Sequence, residues 1–274
     1  MTPEQLPQWL RALATRAAEV DGQPPFSDQT WVELRDGRRE LLATGEDAAA
    51  AVRPGTPGEL ELVVHPDARG RGLGGGLLER VLGEHPDVLA WAHGDHPASR
   101  ALAARTGFEP IRELLQLRRD IADHEPAANA LDGFTAFRPG SDDADWLALN
   151  AAAFAGHPEQ GSLTQVDLDE RMSEPWFDAG DFLLLRDADG LAAFVWMKIE
   201  GGIGEFYVVG VDPSRQGGGL GRRLVEAGLA RLVSRGIRTA SLYVDADNTA
   251  AVRLYRSYGF GDHTIDVQYR RKGR

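Results

Sequence analysis

The chain has no cysteine. That excludes disulfides, thiolate metal sites and a cysteine nucleophile, and it suits a reducing, cytoplasmic setting. It also lacks any apolar run near the roughly 20 residues that span a bilayer, so no membrane partner is expected. The start, MTPEQLPQWLRAL, lacks the basic and then apolar order of a signal peptide. Positive charge is in deficit: 30 Lys and Arg stand against 42 Asp and Glu, a formal net charge of −12, which argues against a nucleic-acid partner. There is no Gly-Lys-Ser/Thr, hence no Walker loop. The seven histidines show no metal-ligand spacing, and no metal is expected.

What the chain does have is a glycine-rich turn, twice. Residues 62–74 read LVVHPDARGRGLG and residues 209–221 read VGVDPSRQGGGLG. Each is an apolar strand end, a proline, then [R/Q]-x-x-G-x-G and an apolar helix. Arg69, Gly72 and Gly74 match Gln216, Gly219 and Gly221 at an offset of 147. Thr106-Gly107-Phe108 and Tyr258-Gly259-Phe260 match at an offset of 152. The chain is an internal duplication, and its 274 residues suit two domains that each bury a core. The polar stretch ADHEPAANALD marks the boundary: residues 1–122, a linker at 123–131, and residues 132–274.

The glycines point to anion binding. A turn into a helix leaves backbone N–H groups without partners, and the helix dipole adds partial positive charge there. Glycine lets that backbone bend sharply and approach a phosphate. The expected cofactor-binding sets, each a strand end with its turn, are Leu62, Val63, Val64, Arg69, Gly70, Arg71, Gly72, Leu73, Gly74 and Gly75 in the first half, and Val209, Gly210, Val211, Gln216, Gly217, Gly218, Gly219, Leu220, Gly221 and Arg222 in the second. Gly70-x-Gly72-x-x-Gly75 also fits a dinucleotide fingerprint, but the second copy puts Arg222 at the third glycine position.

In the second half, periodicity predicts a helix over 142–154, strands over 182–185 and 191–199 about the turn 187–190, and a strand over 205–211. It then predicts a helix over 221–235 stopped by Gly236, a strand over 240–244, a helix N-capped by Asn248 and closed by Gly259, and a last strand over 264–269.

That order, with [R/Q]-x-x-G-x-G followed by N-x-x-A-x-x-x-Y-x-x-x-G-F, resembles the GNAT acyltransferase family. The resemblance implies an α/β fold: two tandem domains, each a mixed, mostly antiparallel sheet flanked by helices. It implies acetyl-CoA as co-substrate, bound by both turns with Asn248 and Arg253. The segments AAFAGHPEQG (152–161), EPWFD (174–178), GEFYVVGVDP (204–213) and LYVDADNTAAVRLY (242–255) are similar to the tandem branch that completes mycothiol biosynthesis. That branch transfers acetyl to the cysteinyl amine of a glucosaminyl-inositol conjugate. The resemblance implies acceptor contacts at Asp28, Glu159, Lys198, Glu205 and Tyr243. Gly70 and Gly218 depart from it, standing where a basic residue is common.

The chemistry needs a neutral amine, a home for an oxyanion, and a departing thiolate. Glu205 is the candidate base: it opens the strand into the second turn and shares a face with Tyr207 and Val209 by period two. Tyr255 is the candidate acid, beside the CoA sulfur in the family pattern. Backbone N–H groups around 209–211 are candidates for the oxyanion, where the strand splays from its neighbour. On the residues alone, Glu205 reads equally as a solvated strand end and Tyr255 as core. Aligning the halves sets Gly58 against Glu205, Ala103 against Tyr255 and His96 against Asn248. The first half is therefore expected to be catalytically silent, its loop still suited to acetyl-CoA.

The reading is a monomeric, two-domain acetyltransferase using direct transfer to a small-molecule amine. The alternatives are a family member acting on an aminoglycoside or an amino acid, and a non-catalytic acyl-CoA sensor.

Overall fold

The computed structural model describes residues 6–156 and 160–272. In chain order the first elements are α1 (Gln8–Asp21), α2 (Asp28–Arg35), β1 (Glu40–Thr44), β2 (Ala48–Arg53), β3 (Gly58–Val64), α3 (Leu73–Glu84), β4 (Val88–Ala92), α4 (Pro97–Thr106) and β5 (Phe108–Asp120). There follow β6 (Phe134–Ala136), α5 (Asp143–Ala153), α6 (Gln165–Met172), β7 (Phe182–Asp187), β8 (Gly190–Glu200), β9 (Ile203–Val211), α7 (Leu220–Ser234), β10 (Thr239–Asp245), α8 (Thr249–Ser257) and β11 (Gly261–Arg271).

The chain forms two compact units. The first comprises Met1–Leu115, Asp245–Asp247 and Thr264–Arg274; the second comprises Gln116–Val244 and Asn248–His263. The sequence division at the 123–131 linker puts the last strand wholly with the second half. By contact, most of β11 belongs to the first unit instead.

In the first unit the strand order is β1-β2-β3-β4-β11-β5. The β1-β2, β2-β3 and β4-β11 pairs are antiparallel, and β3 pairs with β4 in parallel. Alternation along β2 explains the layering. Ala48, Ala50 and Val52 turn to a core with Leu77, Leu78 and Val81 of α3. Ala49 and Ala51 turn to Leu10, Leu13, Phe26 and Leu34 around α1 and α2. A strand covered on both faces carries small apolar residues at both phases.

In the second unit the order is β5-β10-β9-β8-β7-β6, with β10 parallel to β9 and the β9-β8, β8-β7 and β7-β6 pairs antiparallel. One face packs Trp146, Leu149 and Leu168 of α5 and α6 on Phe182, Phe194 and Trp196. The other face meets α7 so closely that a Cβ on Gly228 would strike the Phe206 ring, and one on Gly204 would strike Leu232. Asn248 caps α8, its side chain accepting from the Ala251 N–H at 3.2 Å. Gly236 and Gly259 stand just past their helices at φ of 72° and 80°, the left-handed stops expected of them.

Candidate active site

The second unit builds its site where two strands part. β10 pairs with β9 only from Thr239↔Ile203 to Leu242↔Phe206. Among the described residues, the register of β10 with β9 stops at Phe206, so from Tyr207 to Val211 the strand splays away from β10. On its other edge, β9 bulges against β8. Trp196 pairs with Val208 but Met197 pairs with Phe206, which leaves Tyr207 as an extra residue. Tyr207 packs on Trp176 and Trp196, and Val208 joins the same layer. Glu205 therefore shares a face with Tyr207 as expected, but Val209 does not. The bulge reverses the phase, and it is Val208 and Gly210 that turn toward Phe194 and Trp196.

Glu205 is half-buried, with Lys198 its cross-strand partner on β8 and Ser241 its parallel partner on β10. The Lys198 ammonium lies 5.4 Å from the Trp176 ring centroid and 3.2 Å from a Glu200 oxygen. Tyr243, 42% exposed, accepts a hydrogen bond from Gln116 Nε2 at 2.8 Å. Tyr255 is buried between Phe206 and Phe260. Phe206 alternates with Glu205, so Tyr255 stands on the other face of β9. Burial pushes its phenol well above the ordinary range, so at neutral pH it carries its proton. Asp28 is the exposed first residue of α2 in the first unit, and Glu159 lies outside the described residues.

Below the splayed edge, the second turn opens α7. Gly219 is its N-cap at φ 83° and Gly217 stands at φ 82°. Both are left-handed positions that favour glycine, and they aim the free N–H groups of the first helical turn outward. Gly221 has a different reason to be small: a Cβ there would lie 3.1 Å from Leu254 of α8. Arg222 is exposed in the first turn of α7, and Arg253 is exposed on α8 with its Nε donating to the Thr249 carbonyl at 3.1 Å.

The first unit repeats this plan. β3 and β4 part after Glu61↔Trp91, and Gly70 and Gly72 take φ of 76° and 86°. A cleft of about 200 Å³ opens there, lined by Leu62, Val63, Val64, all of the turn from Arg69 to Gly75 except Arg71, and by Trp91 and His93. Arg69 braces the turn: its guanidinium holds both Asp21 oxygens at 2.7 Å and the Val64 carbonyl at 3.2 Å. A buried trio stands beside the cleft. His93 meets Asp266 at 3.0 Å through Nδ1 and Glu61 at 3.4 Å through Nε2. Burial works to lower the His93 pKa, but the hydrogen bonds and charges of Asp266 and Glu61 prevail and raise it to about 10.

The register corrects one expectation. β2 and β3 pair without a bulge, and Arg53 faces Glu59 as Lys198 faces Glu205. The turns match at an offset of 147, but upstream of the β9 bulge the match is one residue shorter. Glu59, and not Gly58, is the counterpart of Glu205. Both of its oxygens are taken, one by Arg53 and one by buried Arg39 at 2.9 Å, and Arg39 also holds Glu33 at 2.6 Å. The carboxylate persists in the first unit but is closed in by arginines. Of the two candidate proton-transfer positions, only that of Tyr255, matched by Ala103, lacks a titratable side chain in the first unit.

Some participants were invisible to motif reading. Arg171 Nε donates to the Tyr207 hydroxyl at 3.1 Å, and Gln116 reaches Tyr243, each joining distant parts of the sequence. Glu40, Glu84 and His85 bring ligand-type atoms within 4.8 Å of one another, a grouping that spacing along the chain did not show. Among the described residues, no helix is long and apolar enough to cross a membrane.

The pattern of the acetyltransferase (GNAT) family matches residues 147–260, which span the second turn and its splayed strands. A GCN5-related N-acetyltransferase from Sphaerobacter thermophilus superposes with a TM-score of 0.71 at 24% identity, over 97% of this chain and 93% of that one. A tandem GNAT protein from the clavulanic acid biosynthesis pathway superposes with a TM-score of 0.68 at 19% identity, over 96% and 93%. Fold and site define an acetyl-CoA-dependent GNAT acyltransferase with the fold duplicated in one chain. A mycothiol acetyltransferase from Clavibacter sepedonicus is 52% identical over 95% of this chain and 90% of its own length. One from Thermobispora bispora is 50% identical over 95% and 94%. The chain belongs to the mycothiol acetyltransferase family.

Proposed function

We propose that the enzyme transfers acetyl from acetyl-CoA to the cysteinyl amine of a glucosaminyl-inositol conjugate, the last step of mycothiol biosynthesis, with the second unit as the catalytic one. The observation that carries this reading is Glu205, half-buried opposite Lys198 at the point where β9 leaves β10 and the turn into α7 begins.

The pyrophosphate of acetyl-CoA lies on the N–H groups opening α7, and its acyl arm runs along the splayed edge of β9. Glu205 takes one proton from the acceptor ammonium, whose pKa of about 8 leaves a modest task for a carboxylate, and the neutral amine then attacks the thioester carbon. The new N–C bond puts negative charge on the thioester oxygen, which backbone N–H groups of Val209–Val211 receive. When the C–S bond breaks, Tyr255 gives its retained proton to the sulfur and is reprotonated by the second proton, which the newly acylated nitrogen sheds. Lys198 and Tyr243 offer polar contacts to the acceptor hydroxyls. The first unit, with Glu59 enclosed by arginines and Ala103 in place of the acid, is catalytically silent, its cleft remaining suited to acetyl-CoA.

A thiol-release assay with acetyl-CoA and a panel of amines tests the reading. The cysteinyl conjugate should give the highest kcat/KM. Preference for an aminoglycoside or a free amino acid would replace the acceptor, and no thiol release with any amine would favour an acyl-CoA sensor.

A further inference from the structure

The acceptor face of the second unit holds two polar side chains that burial should not tolerate. Gln116 is 6% exposed, and among the described residues its Oε1 has no hydrogen-bond partner. The same holds for the Oγ of Ser241, which is 1% exposed. Ser241 pairs in register with Glu205 and precedes Tyr243 by two residues on β10, so all three crowd one patch of sheet. Buried polar groups are nearly always satisfied, and an orphan destabilises the fold unless function retains it.

For Gln116 the geometry shows what is gained. Its Nε2 donates to the Tyr243 oxygen at 2.8 Å. Turning the amide over would let Oε1 accept the phenol proton but would bury the NH₂ group without that acceptor. As placed, the phenol oxygen is an acceptor toward Gln116, so its own proton is directed elsewhere. Tyr243 is the most exposed residue of β10, and its ring stands at the surface with its polar end fixed from beneath.

We infer that Gln116 is a positioning residue for the acceptor: it anchors the Tyr243 hydroxyl from the buried side and so fixes where the phenol oxygen stands on the acceptor face. This rests on the reading of Tyr243 as an acceptor contact. It adds a residue from β5, a strand outside the family motifs. A hydroxyl-rich acceptor fits this arrangement, because a polar group of fixed position selects among hydroxyls where a mobile one would not.

The test uses the full-length enzyme and whichever amine it acetylates best. Gln116→Leu removes the orphan with its donor, and Gln116→Met is the reserve should Leu fail to fold. The variant should melt at or above the wild-type temperature, raise the acceptor KM about 5–20-fold, and leave the acetyl-CoA KM within about twofold. Tyr243→Phe should give a similar loss, and the double variant no further loss, because one residue acts through the other. An unchanged acceptor KM in Gln116→Leu beside a raised one in Tyr243→Phe overturns the inference and leaves the acceptor contact standing. Unchanged KM in both removes Tyr243 from the site. A different best amine replaces the proposed acceptor while Gln116 is still read on it.

Discussion

Two glutamates at one register position show how surroundings decide a role. Glu205 faces a lysine at the mouth of a splayed strand pair, while Glu59 is held at both oxygens by arginines. Glu205→Gln should retain acetyl-CoA binding and lower kcat by about 10²–10⁴-fold at pH 7, the usual share of a general base. Turnover near wild type would remove Glu205 from that role. Glu59→Gln should do the reverse: leave kcat unchanged and destabilise the fold by about 1–3 kcal/mol, since it weakens the partner of a buried guanidinium. Denaturant melts beside the kinetics separate the two. Tyr255→Phe should cost less rate than Glu205→Gln, because a thiolate with a pKa of about 8.5 leaves readily without full protonation.

At the scale of the element, the glycines of the turn divide two tasks among three of them and leave one glycine without either. Gly217 and Gly219 supply left-handed backbone, and Gly221 supplies clearance from Leu254. Gly218 does neither: a Cβ there would meet only the Arg215 carbonyl, at an ordinary 3.6 Å. Its counterpart in the first turn is Arg71. Gly218→Arg should therefore fold normally and add a cation beside the pyrophosphate. The expected outcome is a KM for acetyl-CoA lowered about two- to fivefold at low salt, with the gain fading as ionic strength rises. A KM unmoved at low salt would place the phosphates elsewhere. Gly219→Val should be poorly tolerated, since a β-branched residue at φ 83° is strained before any ligand arrives.

At the scale of the whole chain, the first unit borrows its last strand. Val267 and Tyr269 of β11 are buried in its core, and Asp266 holds His93. Residues 1–122 alone should thus lack a cooperative thermal transition, and a sharp melt from that fragment would contradict the observed division. The Asp266–His93–Glu61 trio also sets a pH dependence. A pKa raised from 6.5 to about 10 on folding means that stabilisation by the His93 imidazolium is complete below about pH 6.5 and is lost as pH climbs toward 10. The melting-temperature advantage of wild type over His93→Gln should stay level below pH 6.5 and shrink across that interval. An advantage constant to pH 10 would mean that His93 is neutral in the folded protein.

By itself the sequence determined the duplication, the fold class, the glycine-rich turns that open two helices and the helix boundaries around Asn248, Gly236 and Gly259. These are local: glycine and capping preferences act within a few residues, and periodicity reports which face is buried. It also singled out Glu205, because a motif sets it near the turn. Three things depended on tertiary structure. The bulge at Tyr207 adds a residue that no local preference announces, and it decides that Glu59 and not Gly58 answers Glu205. The passage of β11 into the first unit depends on which core Val267 and Tyr269 complete, a choice among distant surfaces. The support of Tyr243 by Gln116 joins residues more than a hundred positions apart, and only the pairing of strands brings them within reach of a hydrogen bond.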